Sequence, residues 1–181
     1  MKVYTRSGDD GTTGLFYGGR VAKNSPAPTA YGSVDEAQAA IGLARATVVP
    51  GSELDELLIE LCRDLYIVMA ELATLPENRS KLVDGQSLVN LAMTERLEER
   101  IDQISGRFDP PTEFSVPGGN PTSAALDFAR TVVRRAERDA LAVSAEDSCV
   151  GAYLNRLSDL AWTLARWQEH HFVPAKQADP S

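Results

Sequence analysis

The chain has little of what usually marks an enzyme at sight. Its only histidines are His170 and His171, and its only cysteines are Cys62 and Cys149. The histidines adjoin one another and the cysteines lie far apart. No cluster has metal-ligand spacing, so no protein-held metal is expected. Two lone thiols read as free and suit a reducing cytoplasm. No run of apolar residues reaches the length of a membrane span, and Met1-Lys2-Val3 opens no apolar signal segment. There is no G-x-x-x-x-G-K-[S/T], and no strand–helix unit surrounds the glycines, which sets aside the usual nucleotide-binding loops. Eighteen Lys and Arg stand against 26 Asp and Glu, a net charge of −8, so no nucleic-acid partner is expected.

What is present is helical. A chain of 181 residues, 43% of them hydrophobic, is expected to form one domain with a real core. Period-3.6 apolar spacing predicts a first helix over 29–48, with Val34, Ala37, Ile41 and Ala44 inward. Pro50-Gly51 breaks it, and Ser52 caps a second helix that ends before Pro76. A polar connection follows, and Thr94 opens a third helix. Asn120 as cap and Pro121 as first residue start a fourth, running to about Val143. A fifth spans 148–171, with Tyr153, Leu154, Leu157, Leu160, Ala161 and Leu164 inward. The expectation is an all-α chain: an antiparallel five-helix bundle over 29–172, preceded by a glycine-rich loop over 1–28 and followed by a flexible tail over 173–181.

Two stretches do not fit a bundle. Residues 4–20 read YTRSGDDGTTGLFYGGR, with glycine at every third position from Gly8 to Gly14. Glycines that reach positive φ turn successive N–H groups toward one point, and such a concavity binds phosphate. Arg6, Arg20 and Lys23 add charge. The second stretch, 108–120, carries Pro110-Pro111 before Phe114 and Pro117-Gly118-Gly119 after it, and cannot bury itself. On the fourth helix Arg130, Arg134 and Arg138 follow at i, i+4 and i+8, drifting about 40° per step. Glu137 can pair with Arg134. Arg130 lies among Leu126, Ala129 and Val133, so it needs an anionic partner: a carboxylate of the bundle or a bound phosphate. Asp35 on the first helix is one such carboxylate. Asn155, Arg156 and Asp159 form a polar group beside inward leucines on the fifth.

Four stretches together, TRSGDDGTTGLFYGGRVAK, AYGSVDEAQAAIGLARA, FSVPGGNPTSAALDFARTVVRRAER and YLNRLSDLAWTLAR, resemble the signature blocks of the ATP:corrinoid adenosyltransferases of the propanediol-utilisation and human mitochondrial type. The resemblance covers nearly the whole chain. It implies a homotrimeric bundle with sites between subunits, and transfer of the 5′-deoxyadenosyl group of ATP to cob(I)alamin, giving adenosylcobalamin and triphosphate. It implies that Thr5, Arg6, Ser7, Gly8, Thr13, Gly14, Lys23, Arg134, Glu137, Arg138 and Asn155 bind ATP with Mg²⁺. Asp35 and Arg130 would pair, within the chain or across a subunit boundary, to shape the corrinoid side. Phe114 would sit by the corrinoid's lower face and exclude its lower ligand. Cob(II)alamin, a corrinoid reductase and an adenosylcobalamin-dependent enzyme are implied as partners, with a cytoplasmic location.

The sequence departs from that pattern in places. Asp127 stands where relatives often have His, and it could compete with Asp35 for Arg130. Gln38 replaces a frequent Asn, and Leu75 precedes Pro76 where a small polar residue is common. The alternative reading is an ATP-responsive cobalamin carrier or sensor without transferase activity. A nucleotide phosphohydrolase would need clustered carboxylates beside the glycine loop, and none is apparent. A purely structural trimer would leave the glycine loop and Arg130 without a role.

Overall fold

Helix ends and ion pairs fix the topology. The computed structural model describes residue 4, residues 6–169 and residues 171–176. Five α-helices follow a short ribbon: β1 Thr12–Gly14, β2 Arg20–Ala22, α1 Pro26–Arg45, α2 Glu53–Leu72, α3 Leu91–Ser105, α4 Pro121–Ala140 and α5 Val150–Gln168. A 3-10 turn, Pro76–Lys81, interrupts the connection between α2 and α3. No helix among the described residues is long and apolar enough to cross a membrane.

The caps explain several boundaries. The Ser52 side chain accepts from the Asp55 amide, as the sequence predicts, and Asn120 and Ser123 form a reciprocal capping box ahead of α4. The third helix starts earlier than Thr94, because Asn90 accepts from the Met93 amide. The first starts at Pro26 rather than 29, with Ser25 preceding a proline preset for a helical first turn.

Cross-helix bonds give each neighbour's direction. Ser33 on α1 donates to Asp139 near the end of α4, whereas Thr47 just after α1 meets Thr122 in the first turn of α4, so the two run antiparallel. Arg45–Asp55 and Gln38 to the Cys62 carbonyl set α1 against α2 the same way. Arg96 and Arg100 on α3 pair with Glu60 and Asp64 on α2. Arg156–Glu98 and the stacking of Arg107 on Trp167 show that α3 and α5 run parallel. The helices therefore close in the order α1, α2, α3, α5, α4. An odd ring cannot alternate throughout, and α3/α5 is the pair that breaks the expected antiparallel pattern.

The predicted inward residues of α1 and α5 are all buried, together with Leu54, Leu57, Leu58, Leu61, Leu65, Val68 and Leu72 of α2. A buried polar pair crosses this core: Tyr153 donates to Asp64 at 3.1 Å. Burial raises the Asp64 carboxyl above its ordinary range and pushes the Tyr153 phenol well up. Buried Glu71 accepts from Arg79, Ser148 and the Val89 amide, and so ties the α2–α3 and α4–α5 connections to one end of the bundle.

Candidate active site

The glycine stretch docks at that same end. It is not only a loop: β1 and β2 pair antiparallel, Thr12 with Ala22, Thr13 with Val21 and Gly14 with Arg20. Strands of three residues are too short to show a period of two, so the ribbon leaves no signal in the sequence. The Phe16 amide donates to the Ala73 carbonyl at 2.9 Å, just past α2. Gly19, at φ +93°, lets Leu75 close in, since a Cβ there would meet the Leu75 side chain at 2.5 Å. The unusual Leu75 thus has a partner built for it.

Inside the ribbon, backbone and short side chains set the shape. Of Gly8, Gly11 and Gly14, only Gly11 takes positive φ; Gly18 and Gly19 do so as well, as do Arg6 and Tyr17. Gly8 serves close approach instead, because a Cβ would lie 3.1 Å from the Lys23 Nζ and 3.1 Å from the Thr12 carbonyl. Asp10 accepts from both the amide and the hydroxyl of Thr12, which holds its carboxyl below the usual range. Arg20 is committed to the ribbon: it donates to the Ser7 carbonyl at 2.6 Å and to the Thr12 hydroxyl. The Lys23 amine has neither hydrogen bond nor ion pair among the described residues, and it lies over Gly8, with its own backbone amide bonded to the Gly11 carbonyl. Thr5 lies outside the described residues.

The arginines of α4 face different ways. Arg134 donates to Ser158 on α5 at 3.4 Å. Glu137 does not pair with Arg134; it accepts from Asn155 at 3.0 Å. Arg135 turns to α1 and pairs with Glu36. Exposed Arg138 has no ion pair among the described residues. Arg134, Glu137, Arg138 and Asn155 therefore gather on the α4–α5 side, while Ser7, Gly8, Thr13, Gly14 and Lys23 gather on the ribbon. Among the described residues no hydrogen bond or ion pair links residues 8–24 to α4.

The other group lies further down α4. Phe114, Pro117, Asp127, Arg130, Trp162 and Arg166 line much of a cavity of about 380 Å³. Phe114 is 91% exposed, an extreme value for a large apolar side chain. Its loop is held at the back: the Val116 amide donates to the Val173 carbonyl, and the Ala175 amide to the Phe114 carbonyl. Val173 and Ala175, in the tail predicted to be flexible from 173 onward, are hydrogen-bonded to the loop; residues 177–181 lie outside the described residues.

Arg130 finds its carboxylate within its own helix. Its Nε lies 3.3 Å from Asp127 Oδ1, and Asp35 is exposed on α1 with no partner among the described residues. The expected Asp35–Arg130 pair does not form among the described residues: Glu36, next to Asp35, meets Arg135, which sets Asp35 more than a helical turn along α4 from Arg130. The sequence reading missed Arg166 and Glu169. Arg166 is only 2% exposed and pairs with Asp127 and, at 3.4 Å, with Glu169. A charged residue in an apolar helix is read as outward-facing, and only the equally misplaced Asp127 on α4 hinted otherwise.

The site-bearing architecture is a helical bundle with a glycine-rich ribbon docked at one end and a cavity lined by Phe114 and Trp162 farther along α4. The chain belongs to the cobalamin adenosyltransferase family, whose model matches residues 3–168. It is 43% identical over 173 residues to the corrinoid adenosyltransferase of Mycobacterium tuberculosis (strain ATCC 25618 / H37Rv), covering 91% of this chain and 87% of that one. It is 37% identical over 172 residues to that of Bacillus subtilis (strain 168), covering 92% and 86%. Its fold is similar to a phenylalanine-to-alanine variant of the PduO-type ATP:corrinoid adenosyltransferase from Lactobacillus reuteri complexed with cobalamin and ATP, with a TM-score of 0.81, 30% identity and 92% of each chain covered.

Proposed function

We propose that this chain transfers the 5′-deoxyadenosyl group of ATP to cob(I)alamin, giving adenosylcobalamin and triphosphate. The observation that carries the reading is the arginine row of α4. It leaves the aromatic cavity at Arg130 and runs about 12 Å along the helix to Arg138, at the end where the ribbon docks. That row can hold a polyphosphate at one end and present its far end to a large, flat, apolar substrate at the other.

The electron pair of Co(I) attacks the 5′ carbon. The bond from that carbon to the triphosphate oxygen breaks, and its electrons leave with the triphosphate. No protein base is needed, which accords with a site built without histidine. The developing negative charge is met by ribbon N–H groups and by Lys23, Arg134 and Arg138, three cations without a carboxylate of their own. Asn155 and Glu137, already bonded to each other, offer an amide and a carboxylate to the nucleoside. Thr5, Arg6, Ser7, Gly8, Thr13 and Gly14 complete the ATP set. Mg²⁺ would be held by the phosphate oxygens and water, neutralising charge there. Phe114 covers the lower corrin face and keeps ligands off cobalt, which makes the metal easier to reduce.

The site is shared between copies in a homotrimer. Supporting this, no hydrogen bond or ion pair among the described residues joins the ribbon to α4, Asp35 has no partner among them, and Leu43 on α1 and Phe128 on α4 are 59% and 50% exposed on the outer faces of adjacent helices. A neighbour's Arg130 remains the expected partner for Asp35. The chain acts as one domain in the cytoplasm, in keeping with its two free thiols, with a corrinoid reductase supplying Co(I) and an adenosylcobalamin-dependent enzyme taking the product. The test is anaerobic: protein, chemically reduced cob(I)alamin and MgATP, followed by visible spectrum. Formation of adenosylcobalamin is expected. Bound ATP and corrinoid without product would make the chain a carrier or sensor instead.

A further inference from the structure

The buried charges behind the cavity have no place in that scheme as it stands. Asp127, Arg166 and Glu169 are all buried. Asp127 holds Arg130 with one oxygen, at 3.3 Å, and Arg166 with the other. Arg166 reaches on to Glu169 at 3.4 Å, and the remaining oxygen of Glu169 accepts from the Gly119 amide at 3.3 Å. Gly119 is where the Phe114 loop re-enters the bundle, one residue before the Asn120 cap. The fit there is close: a Cβ on Gly119 would lie 3.0 Å from the Glu169 carboxylate. Beside it, Asn120 donates to the Gln168 carbonyl at 2.6 Å, where α5 gives way to the tail that pairs with the loop.

Packing does not call for this cluster. Its two carboxylates and two guanidiniums cancel, but burying such groups costs about as much as their attraction returns, and apolar residues of similar volume would serve stability as well or better. Nor is the cluster optimised. Among the described residues Arg166 Nε has no hydrogen-bond partner, and Glu169 Oε2 faces Arg166 without a well-aligned hydrogen bond. What the chain of contacts does is connect: Arg130 at one end, the base of the Phe114 loop at the other.

We infer that Arg166 and Asp127 are positioning residues. They form an internal clamp that fixes Arg130 and the Phe114 loop relative to each other, so that the two corrinoid-facing groups move as one unit. The inference rests on the functional reading above for the identity of the substrate, but the mechanical link stands apart from it. Because Asp127 supplies Arg130 with its carboxylate inside one chain, the orientation of Arg130 depends on Asp127 more than on Asp35.

Two variants test the clamp. Asp127→Asn keeps the shape and leaves Arg166 its Glu169. Arg166→Lys keeps the charge but loses the fork that spans both carboxylates. Arg100→Lys, at an exposed pair with Glu60, is the control. In the full-length protein each clamp variant is expected to lower turnover at saturating MgATP by roughly tenfold to a hundredfold, as small misplacements near a reacting centre do, with the KM for ATP moved less than about twofold. Amide hydrogen exchange over residues 114–119 is expected to quicken by about tenfold, with residues 11–22 unchanged. Asp35→Asn is expected to lower turnover less than Asp127→Asn. Unchanged turnover in a folded variant with wild-type exchange in the loop would overturn the inference, and so would a raised KM for ATP at unchanged turnover. If the wild type makes no adenosylcobalamin, the functional reading fails, and the exchange measurement alone decides the clamp.

Discussion

The ribbon end and the cavity end of this bundle treat charge in opposite ways. At the ribbon end, Lys23 and Arg138 have no ion pair among the described residues, and Arg134 has only a hydroxyl at 3.4 Å. At the cavity end, Arg130 and Arg166 are matched by Asp127 and Glu169, and the surface presented is aromatic. Cations left unmatched await an anion from outside. Cations matched from inside are being held in position. In the proposed reaction the first end would meet the leaving triphosphate, and the second would keep ligands off cobalt.

The contrast can be broken most sharply at Phe114. Phe114→Ala is expected to reduce turnover by roughly a hundredfold, with little change in the KM for ATP, since only the corrinoid geometry is touched. Equal turnover would remove Phe114 from the mechanism. Arg134→Ala is expected to act the other way: losing a charge-assisted contact of about 1.5–3 kcal/mol raises the KM for ATP by roughly one to two orders of magnitude. Titration of ATP against both variants separates the effects. Between neighbours on α4, Arg130→Ala is expected to cost more activity than Arg135→Ala, because Arg135 pairs with Glu36 on the outer face. Matching losses would reduce the row to a structural stripe.

Smaller effects sharpen the same picture. Gly8→Ala is expected to raise the KM for ATP several-fold at unchanged turnover: its Cβ would press on Lys23 and on the Thr12 carbonyl, and backbone cannot yield as a side chain can. Wild-type KM would mean the ribbon adjusts freely. Smallest, and away from both ends, is Asp55. The Gly51 amide and Arg45 hold its carboxyl below the usual range. A depressed acid contributes stability above its unfolded-state value and loses it as pH falls toward the folded one. Asp55→Asn should therefore flatten the acid limb of the thermal-unfolding profile, without altering activity at neutral pH.

The two ends were not equally legible in the sequence. The helices showed themselves through inward leucines and through Ser52 and Asn120 as caps, because both periodicity and capping are local. The unmatched cations of the ribbon end were visible for the same reason: glycine spacing and an i, i+4, i+8 arginine row lie along the chain. The cavity end depends on partners far apart, such as Arg166 with Asp127 and Val116 with Val173, and no local pattern announces them. Asp127 was noticed only as a departure from the family's habit. Its role as the bridge between two arginines needed coordinates. Arg20, which the sequence counts among the charges offered to phosphate, binds its own loop through the Ser7 carbonyl.

One comparison tests the division of labour most directly: anaerobic transfer kinetics of wild type, Arg134→Ala and Phe114→Ala, with cob(I)alamin in excess and MgATP varied. The account predicts adenosylcobalamin from the wild type, a raised KM for ATP in the arginine variant and a lowered turnover in the phenylalanine variant. No product from a wild type that binds both ligands, or two variants that shift the same parameter alike, would contradict it.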